Sequence, residues 1–275
     1  MYLKFYGLSE NPFNVTSDPN FLYLSNTHRE ALNHLLYGIN ERKGFIEITG
    51  EIGAGKTTLC RALLSRMPQN TRTSIIFNSS LPETQLLEAI LLDFGITPSR
   101  RNKGTFLRQL NAFLLEQLSF NNNVILIIDE AQNLGNSTLE TIRMLSNLET
   151  DKEKLMQIVL VGQPQLRDKL NSPDLLQLRQ RIGVRFHIQA LQRNEVEEYI
   201  EHRLKVAGAQ NFSVFNNEAV DLISAHSGGI PRVINLVCDK SLLLGFANGD
   251  TSITCDTVQR SIEELRGNFN FARVK

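Results

Sequence analysis

The feature that most constrains this chain is the run from Gly50 to Thr57, which fits the pattern G-x-x-x-x-G-K-[ST] at every constrained position. An apolar segment, residues 45–49, precedes the run and predicts a strand. Residues 57–64 follow it and predict a helix. Because this motif needs a strand, a glycine-rich loop and a helix in that order, the chain is predicted to fold as an α/β protein around it.

The residue types in this loop suit phosphate oxygens. Glycines let the backbone turn its N–H groups inward at the positive end of the following helix. Lys56 can reach the β- and γ-phosphates, and the Thr57 hydroxyl can hold Mg²⁺. The alternative is a glycine-rich turn with a chance lysine, but the flanking strand and helix favour a nucleotide site. We predict that the site consists of Gly50, Glu51, Ile52, Gly53, Ala54, Gly55, Lys56, Thr57 and Thr58.

Composition limits the classes of protein to consider. Lys and Arg total 29 and Asp and Glu total 29, so the formal net charge is zero and gives no footprint of non-specific nucleic-acid binding, although a local basic patch is compatible with it. Cys60, Cys238 and Cys255 lie far apart and resemble small apolar residues in a reducing compartment. No signal pattern and no stretch of roughly 18 to 20 apolar residues is present. The chain is predicted to be soluble and cytoplasmic.

The remaining pattern predicts three segments. Further strands are predicted at residues 74–77, 124–128, 158–161 and 184–188, alternating with helical stretches. Such alternation is typical of a parallel sheet covered on both faces. Beyond Leu191 the pattern is helical only, at residues 194–206, 218–226, 231–247 and 256–265. We therefore expect an N-terminal segment over 1–44 that packs on the core, an α/β domain over 45–190 and a helical domain over 191–275.

Two adjacent acids, Asp129 and Glu130, follow the apolar strand at 124–128. Ligands of open α/β sheets bind at the carboxyl ends of strands. Asp129 is predicted to hold Mg²⁺ together with Thr57, and Glu130 to act as a general base on a water molecule. The alternative is a pair of acids that offset the dipole of the next helix. That helix is predicted to start with a capping box, Ser137 to Glu140. Arg143 lies on its other face, where we expect a solvated residue rather than one that faces a neighbouring subunit.

Several polar residues near other element ends have two interpretations each. Gln163, after the fourth strand, either orients the attacking water or is a turn residue. Arg181, with Arg179 as second choice, is either a surface charge or the arginine that reaches a neighbouring subunit's γ-phosphate. Arg232, at the start of the longest C-terminal helix, is either a surface arginine or closes over the nucleotide.

Taken together, these motifs resemble the AAA+ ATPases of the ExeA/GspA-like family, which serve general secretion and MSHA-pilus assembly. The segments that carry the resemblance are Met1 to Leu3, Phe5 to Leu8, Asn11 to Phe13, Gly44-Phe45, Thr49 to Glu51, Asp129 to Leu134, Leu145 to Thr150 and Gly228 to Arg232. It spans residues 1 to about 265. It implies a P-loop NTPase with a five-stranded parallel sheet of the additional-strand, AAA+ type and a C-terminal all-helical lid.

The resemblance also implies an activity and partners. ATP rather than GTP would be bound with Mg²⁺ and hydrolysed, with Lys56, Thr57, Asp129 and Glu130 as Walker residues. Gln163 would be the sensor of the fourth strand and Arg232 the sensor of the lid. A nucleotide-dependent ring of identical subunits and an inner-membrane partner are implied, which would place the protein peripherally at that membrane.

Three readings of the biological role follow. The first is assembly of a secretion or type IV pilus-like apparatus. The alternatives are a DNA-associated AAA+ regulator of the transposition type and a nucleotide-gated scaffold with negligible turnover. Larger family members continue into a membrane anchor and a peptidoglycan-binding domain. The 275 residues given contain neither, which speaks against direct binding of the cell wall; they are interpreted either as a shorter member of the family or as the ATPase part of a longer protein.

Overall fold

The computed structural model describes residues 2–14, 18–77, 80–150, 153–210 and 213–270. Contacts divide the chain into two compact units. The first unit comprises Met1–Ser25, Glu51–Thr58 and Gln189–Lys275, and the second comprises Asn26–Gly50 and Leu59–Ile188.

The helices of the described residues are α1 (Tyr2–Phe5), α2 (Asn26–Asn40), α3 (Lys56–Leu64), α4 (Glu83–Asp93), α5 (Lys103–Ser119), α6 (Asn136–Leu145), α7 (Pro164–Leu170), α8 (Leu176–Arg179), α9 (Arg193–Val206), α10 (Asn217–Ser227), α11 (Pro231–Asn248) and α12 (Cys255–Asn270). The strands are β1 (Phe45–Gly50), β2 (Thr71–Ile76), β3 (Asn123–Ile128), β4 (Gln157–Gly162) and β5 (Ile182–Ile188). All the strands predicted from the apolar runs are confirmed. None of the helices in the described ranges is long and apolar enough to cross a membrane.

The second unit is built on the sheet, in which the strands are parallel and follow the order β2-β3-β4-β1-β5. The predicted α/β fold with a five-stranded parallel sheet is therefore confirmed. β1 and β4 are buried along their whole length, as expected for central strands covered on both faces. Because all strands run in the same direction, β1, β3 and β4 have their last residues, Gly50, Ile128 and Gly162, at the same edge of the sheet.

The beginning of α6 differs from the prediction. The helix starts at Asn136 with Gly135 as its N-cap, and no side-chain capping hydrogen bond forms there, so the predicted capping box is wrong. Glu140 instead accepts hydrogen bonds of 2.6 to 2.9 Å from Arg143 one turn along the helix. The prediction of a solvated Arg143 is also wrong, because its side chain is only 15% exposed in this ion pair.

The first unit is helical and holds its own core. Phe13 and Phe21 from the start of the chain are buried in it with residues of α9 to α12. Arg203 of α9 is also buried, and its guanidinium donates to the carbonyls of Pro12 and Asn14. These contacts group residues up to Ser25 with the first unit, whereas α2 belongs to the second. The segment 1–44 that the sequence presents as one piece is therefore divided between the units.

The cysteines are free thiols in this structure. Cys60 and Cys238 are buried and Cys255 is partly exposed. Burial raises the pKa of the Cys238 thiol, which keeps it protonated and unreactive at neutral pH. Cys238 thus packs as a small apolar side chain.

Candidate functional site

The phosphate-loop motif forms a tight turn between β1 and α3. Gly53 and Gly55 have φ values of +81° and +91°, a region that favours glycine. The N–H of Ala54 donates to the carbonyl of Glu51 at 3.1 Å, and α3 begins at Lys56. The backbone at the start of α3 therefore carries the N–H groups and the positive helix end that suit an anion.

Lys56 lies folded over this loop. Its side chain is only 5% exposed, and its ammonium donates to the carbonyl of Glu51 at 3.0 Å. A cation this deeply buried is costly unless anions or carbonyl oxygens surround it. A phosphate group supplies such oxygens, so the loop, the lysine and the helix start together fit the phosphates of a nucleotide.

The structure brings Arg232 to the same loop within the first unit. Its backbone N–H donates to the carbonyl of Gly53 at 3.3 Å. A Cβ placed on Gly53 would lie 2.5 Å from the Cβ of Arg232, so only glycine allows this approach. Two left-handed glycines, Gly228 and Gly229, lead into α11, and Pro231 occupies its first turn. They set the point at which α11 presents Arg232.

In the second unit, Asp129 and Glu130 follow β3 directly. Asp129 is 4% exposed, and its backbone N–H extends the β2–β3 ladder by donating to Ile76 at 2.9 Å. Its Oδ1 accepts the N–H of Glu130 at 2.9 Å. A carboxylate with this fixed direction is a hard oxygen donor of the kind that Mg²⁺ prefers. Asp129 is therefore suited to be a metal ligand.

Glu130 has a backbone conformation that is uncommon outside glycine, with φ +52° and ψ +36°. Its Oε2 accepts a hydrogen bond from the side-chain amide of Gln163 at 3.0 Å. It also accepts one of 2.5 Å from the amide of Gln132. The structure therefore joins Gln163 to Glu130, two residues that follow different strands.

Sequence reasoning assigned no role to Gln132 or to Lys169. The Lys169 ammonium donates to the carbonyls of Gln132 and Leu134 at 2.6 and 2.8 Å, which ties α7 to the turn after β3. The spacing of Gln132 two residues after Glu130 was visible, but it becomes informative only once a 3-10 turn over Ala131–Asn133 brings the two side chains together.

The two candidate arginines differ in their surroundings. Arg181 donates from Nη1 to the hydroxyl of Ser146 at 3.0 Å. Arg179 is exposed at the end of α8, and its carbonyl accepts from the guanidinium of Arg185 at 3.0 Å. Neither of these contacts connects an arginine to Glu130, Gln132 or Gln163.

Comparison with known proteins identifies the class. Residues 39–170 match the AAA domain family. The fold is similar to the ORC2 protein of Aeropyrum pernix, with TM-score 0.67 and 20% identity over 93% of this chain and 72% of that one. It is also similar to Cdc6p of Pyrobaculum aerophilum, with TM-score 0.70 and 19% identity over 90% and 70%. The chain thus has the P-loop fold of AAA proteins.

The sequence is also 42% identical over 269 residues to general secretion pathway protein A of Aeromonas hydrophila. The alignment covers 97% of this chain and 49% of the relative, so the chain spans about half the length of that protein. This confirms the relationship that the motifs predicted: the chain is an AAA+ protein of the ExeA/GspA-like family.

Proposed function

We propose that this protein binds ATP with Mg²⁺ and hydrolyses it, and that the cycle drives assembly or remodelling of a bacterial secretion or type IV pilus-like envelope apparatus. The observation that carries the chemical part is the loop itself, with Lys56 buried over it and Arg232 bonded to it. The biological part rests on the likeness to general secretion pathway protein A.

Each residue has a role in the proposed reaction. The N–H groups of the loop and the Lys56 ammonium bind the β- and γ-phosphates, and Arg232 neutralises phosphate charge. Thr57 and Asp129 hold Mg²⁺, which supplies Lewis-acid stabilisation of the developing negative charge when bound. Glu130 accepts the proton of the attacking water, while Gln163 orients that water or the carboxylate.

We also propose that identical subunits assemble when nucleotide is bound, and that an arginine from one subunit completes the site of the next. An inner-membrane protein of the apparatus would then bind one nucleotide state more tightly than the other, since only a difference in affinity transmits the change.

The chemical proposal is tested with two variants and matched controls. Lys56→Ala should abolish tight nucleotide binding measured by calorimetry, because it removes the buried cation. Glu130→Gln should keep binding and lower turnover by about 10²- to 10⁴-fold, because only the base is lost. The controls, Lys205→Ala and Glu116→Gln, change exposed residues of the same types and should behave as wild type. A Glu130→Gln protein that hydrolyses ATP at the original rate would contradict the base assignment.

The biological proposal is tested by recovery of partners from native membranes with and without ATP, beside DNA binding over a salt series. We expect an envelope protein whose recovery depends on ATP. Salt-sensitive DNA binding that ATP enhances, without an envelope partner, would instead support a DNA-associated regulator.

A further inference from the structure

We propose that Gln132 is a positioning residue for the Glu130 carboxylate and couples it to the end of β4. This inference rests on the proposed hydrolysis, in which Glu130 is the base. Gln132 does not touch the substrate in this scheme, and it acts only through its two side-chain hydrogen bonds.

The Gln132 amide uses its donor and its acceptor in opposite directions. Its Nε2 donates to Glu130 Oε2 at 2.5 Å, and its Oε1 accepts the backbone N–H of Gln163 at 3.0 Å. A side-chain amide is suited to this bridge because it carries a donor and an acceptor on one planar group. Gln132 therefore links the carboxylate after β3 to the backbone after β4.

The Glu130 carboxylate accepts a second hydrogen bond from a side-chain amide. Gln163 Nε2 also donates to Glu130 Oε2, at 3.0 Å. Because both amides meet the same carboxylate oxygen, they define the direction in which the group faces. The backbone of Glu130 is left-handed at φ +52°, an unfavourable conformation that surrounding contacts have to hold in place.

Gly162 leaves the space that the bridge requires. A Cβ on this residue would lie 2.7 Å from Gln132 Oε1 and 2.9 Å from Leu166 Cδ2. The φ of Gly162 is not in the left-handed region, so the need for glycine here comes from the Gln132 amide and the Leu166 side chain beside it. Lys169 completes the support by donating to the Gln132 carbonyl at 2.6 Å.

Two variants separate the two ends of the bridge. Gln132→Met keeps the side-chain length and removes both hydrogen bonds. Gln132→Glu keeps an oxygen that accepts from Gln163 but removes the donor to Glu130 and places two carboxylates together. Asn133→Ala, an exposed residue of the same 3-10 turn, is the matched control.

We expect both Gln132 variants to lower kcat by about 10- to 100-fold, the usual effect of a catalytic group displaced by about 1 Å. KM for ATP, nucleotide affinity and the free energy of unfolding should change little. Hydrogen exchange of the backbone N–H of Gln163 should be about five-fold faster or more in Gln132→Met, because this variant lacks the oxygen that accepts it. The exchange rate should stay near wild type in Gln132→Glu and Asn133→Ala.

The outcomes distinguish this inference from the proposed function. Wild-type kcat in Gln132→Met beside an inactive Glu130→Gln would overturn the role of Gln132 and leave the ATPase proposal standing. Unchanged exchange at Gln163 in Gln132→Met would overturn the bridge itself. A wild-type protein that binds ATP without hydrolysing it would overturn the proposed hydrolysis, and the positioning role with it. If Gln132→Met does not fold, kcat in Gln132→Glu decides.

Discussion

At the scale of single residues, the phosphate loop depends on backbone conformations that side chains disfavour. Gly53 combines a positive φ of +81° with a close neighbour, because a Cβ on this residue would lie 2.5 Å from the Cβ of Arg232. The pattern of the motif leaves this position unconstrained, and its glycine is explained by the left-handed backbone together with the approach of α11 to the loop.

Gly53→Ala should therefore weaken both the fold and the site. A left-handed alanine costs about 1–2 kcal/mol, and the clash with Arg232 adds to it, so we expect a loss of roughly 1–3 kcal/mol in the free energy of unfolding. Nucleotide affinity should fall as well, because the loop moves. Urea unfolding and calorimetry measure the two effects.

The matched control is Gly104→Ala in the first turn of α5, where the nearest atom to a new Cβ is 3.6 Å away. This variant should lose no stability and can gain up to about 1 kcal/mol, because alanine is the better helix former. Gly53→Ala with wild-type stability and affinity would show that the loop tolerates a side chain there.

At the scale of elements, β1 carries a buried acidic side chain between β4 and β5 of the sheet. The side chain of Glu47 is 1% exposed, with Arg185 Nε of β5 at 3.3 Å and Arg167 Nε of α7 at 3.8 Å. Burial raises the pKa of Glu47, and the two arginines only partly offset this effect. Arg185 also donates to the Arg179 carbonyl, so Glu47 connects β1 to the turn that carries the candidate arginines.

The raised pKa of Glu47 predicts a pH dependence with a definite sign. As pH rises above the ordinary value of 4.5, the folded protein holds the Glu47 proton that the unfolded chain releases, so the free energy of unfolding falls. Gln cannot titrate. The stability of Glu47→Gln relative to wild type should therefore increase when the pH is raised from about 4, below the ordinary pKa, to about 7.5. Urea unfolding at both pH values measures the difference.

Glu83 provides a control of the opposite sign. Hydrogen bonds from Lys103 and Thr141 lower its pKa, so its carboxylate stabilises the fold above the ordinary pKa and loses that effect as pH falls. Glu83→Gln should lose stability relative to wild type over the same rise in pH. The same pH response in both variants would contradict the assigned pKa directions.

At the scale of the whole molecule, the proposed roles are divided between the two units. The proposed phosphate-binding residues Lys56 and Arg232 belong to the first unit, whereas Asp129, Glu130, Gln163 and Arg181 belong to the second. The proposed assembly adds a further level, in which an arginine of one subunit serves the site of another.

Mixing defective subunits tests this assembly. Arg181→Ala or Arg179→Ala protein should lose about 10³-fold or more of its turnover, which is the usual effect of a trans-acting arginine. Mixing that protein with Lys56→Ala protein should partly restore ATP hydrolysis, because the second protein supplies the arginine that the first lacks. Rate per subunit should also rise with protein concentration.

The control mixture combines Lys56→Ala with Glu130→Gln. No rescue is expected there, since the proposed reaction uses the base and the phosphate loop of one chain. A rate per subunit that is constant on dilution, with no rescue by any mixture, would show that each subunit hydrolyses ATP alone. Arg179 is the exposed member of the pair. Because each arginine variant is mixed separately with Lys56→Ala, the mixtures also show which of the two arginines acts on the neighbouring subunit.

The sequence by itself determined the five strands, the C-terminal helices, the class of fold and the position of the phosphate-loop motif. Five apolar runs predicted the five strands, and the C-terminal helices were predicted within a few residues of their ends. These features are encoded locally, because hydrophobic periodicity and glycine placement act over neighbouring residues.

Only the tertiary structure decided which distant residues meet. It placed β4 between β1 and β3, Arg232 on the loop at Gly53, and Gln132 between Glu130 and Gln163. It also divided the N-terminal segment, since Arg203 holds the carbonyls of Pro12 and Asn14. Such contacts join residues far apart in the chain, and their partners are selected by strand order, packing and available space rather than by any local pattern.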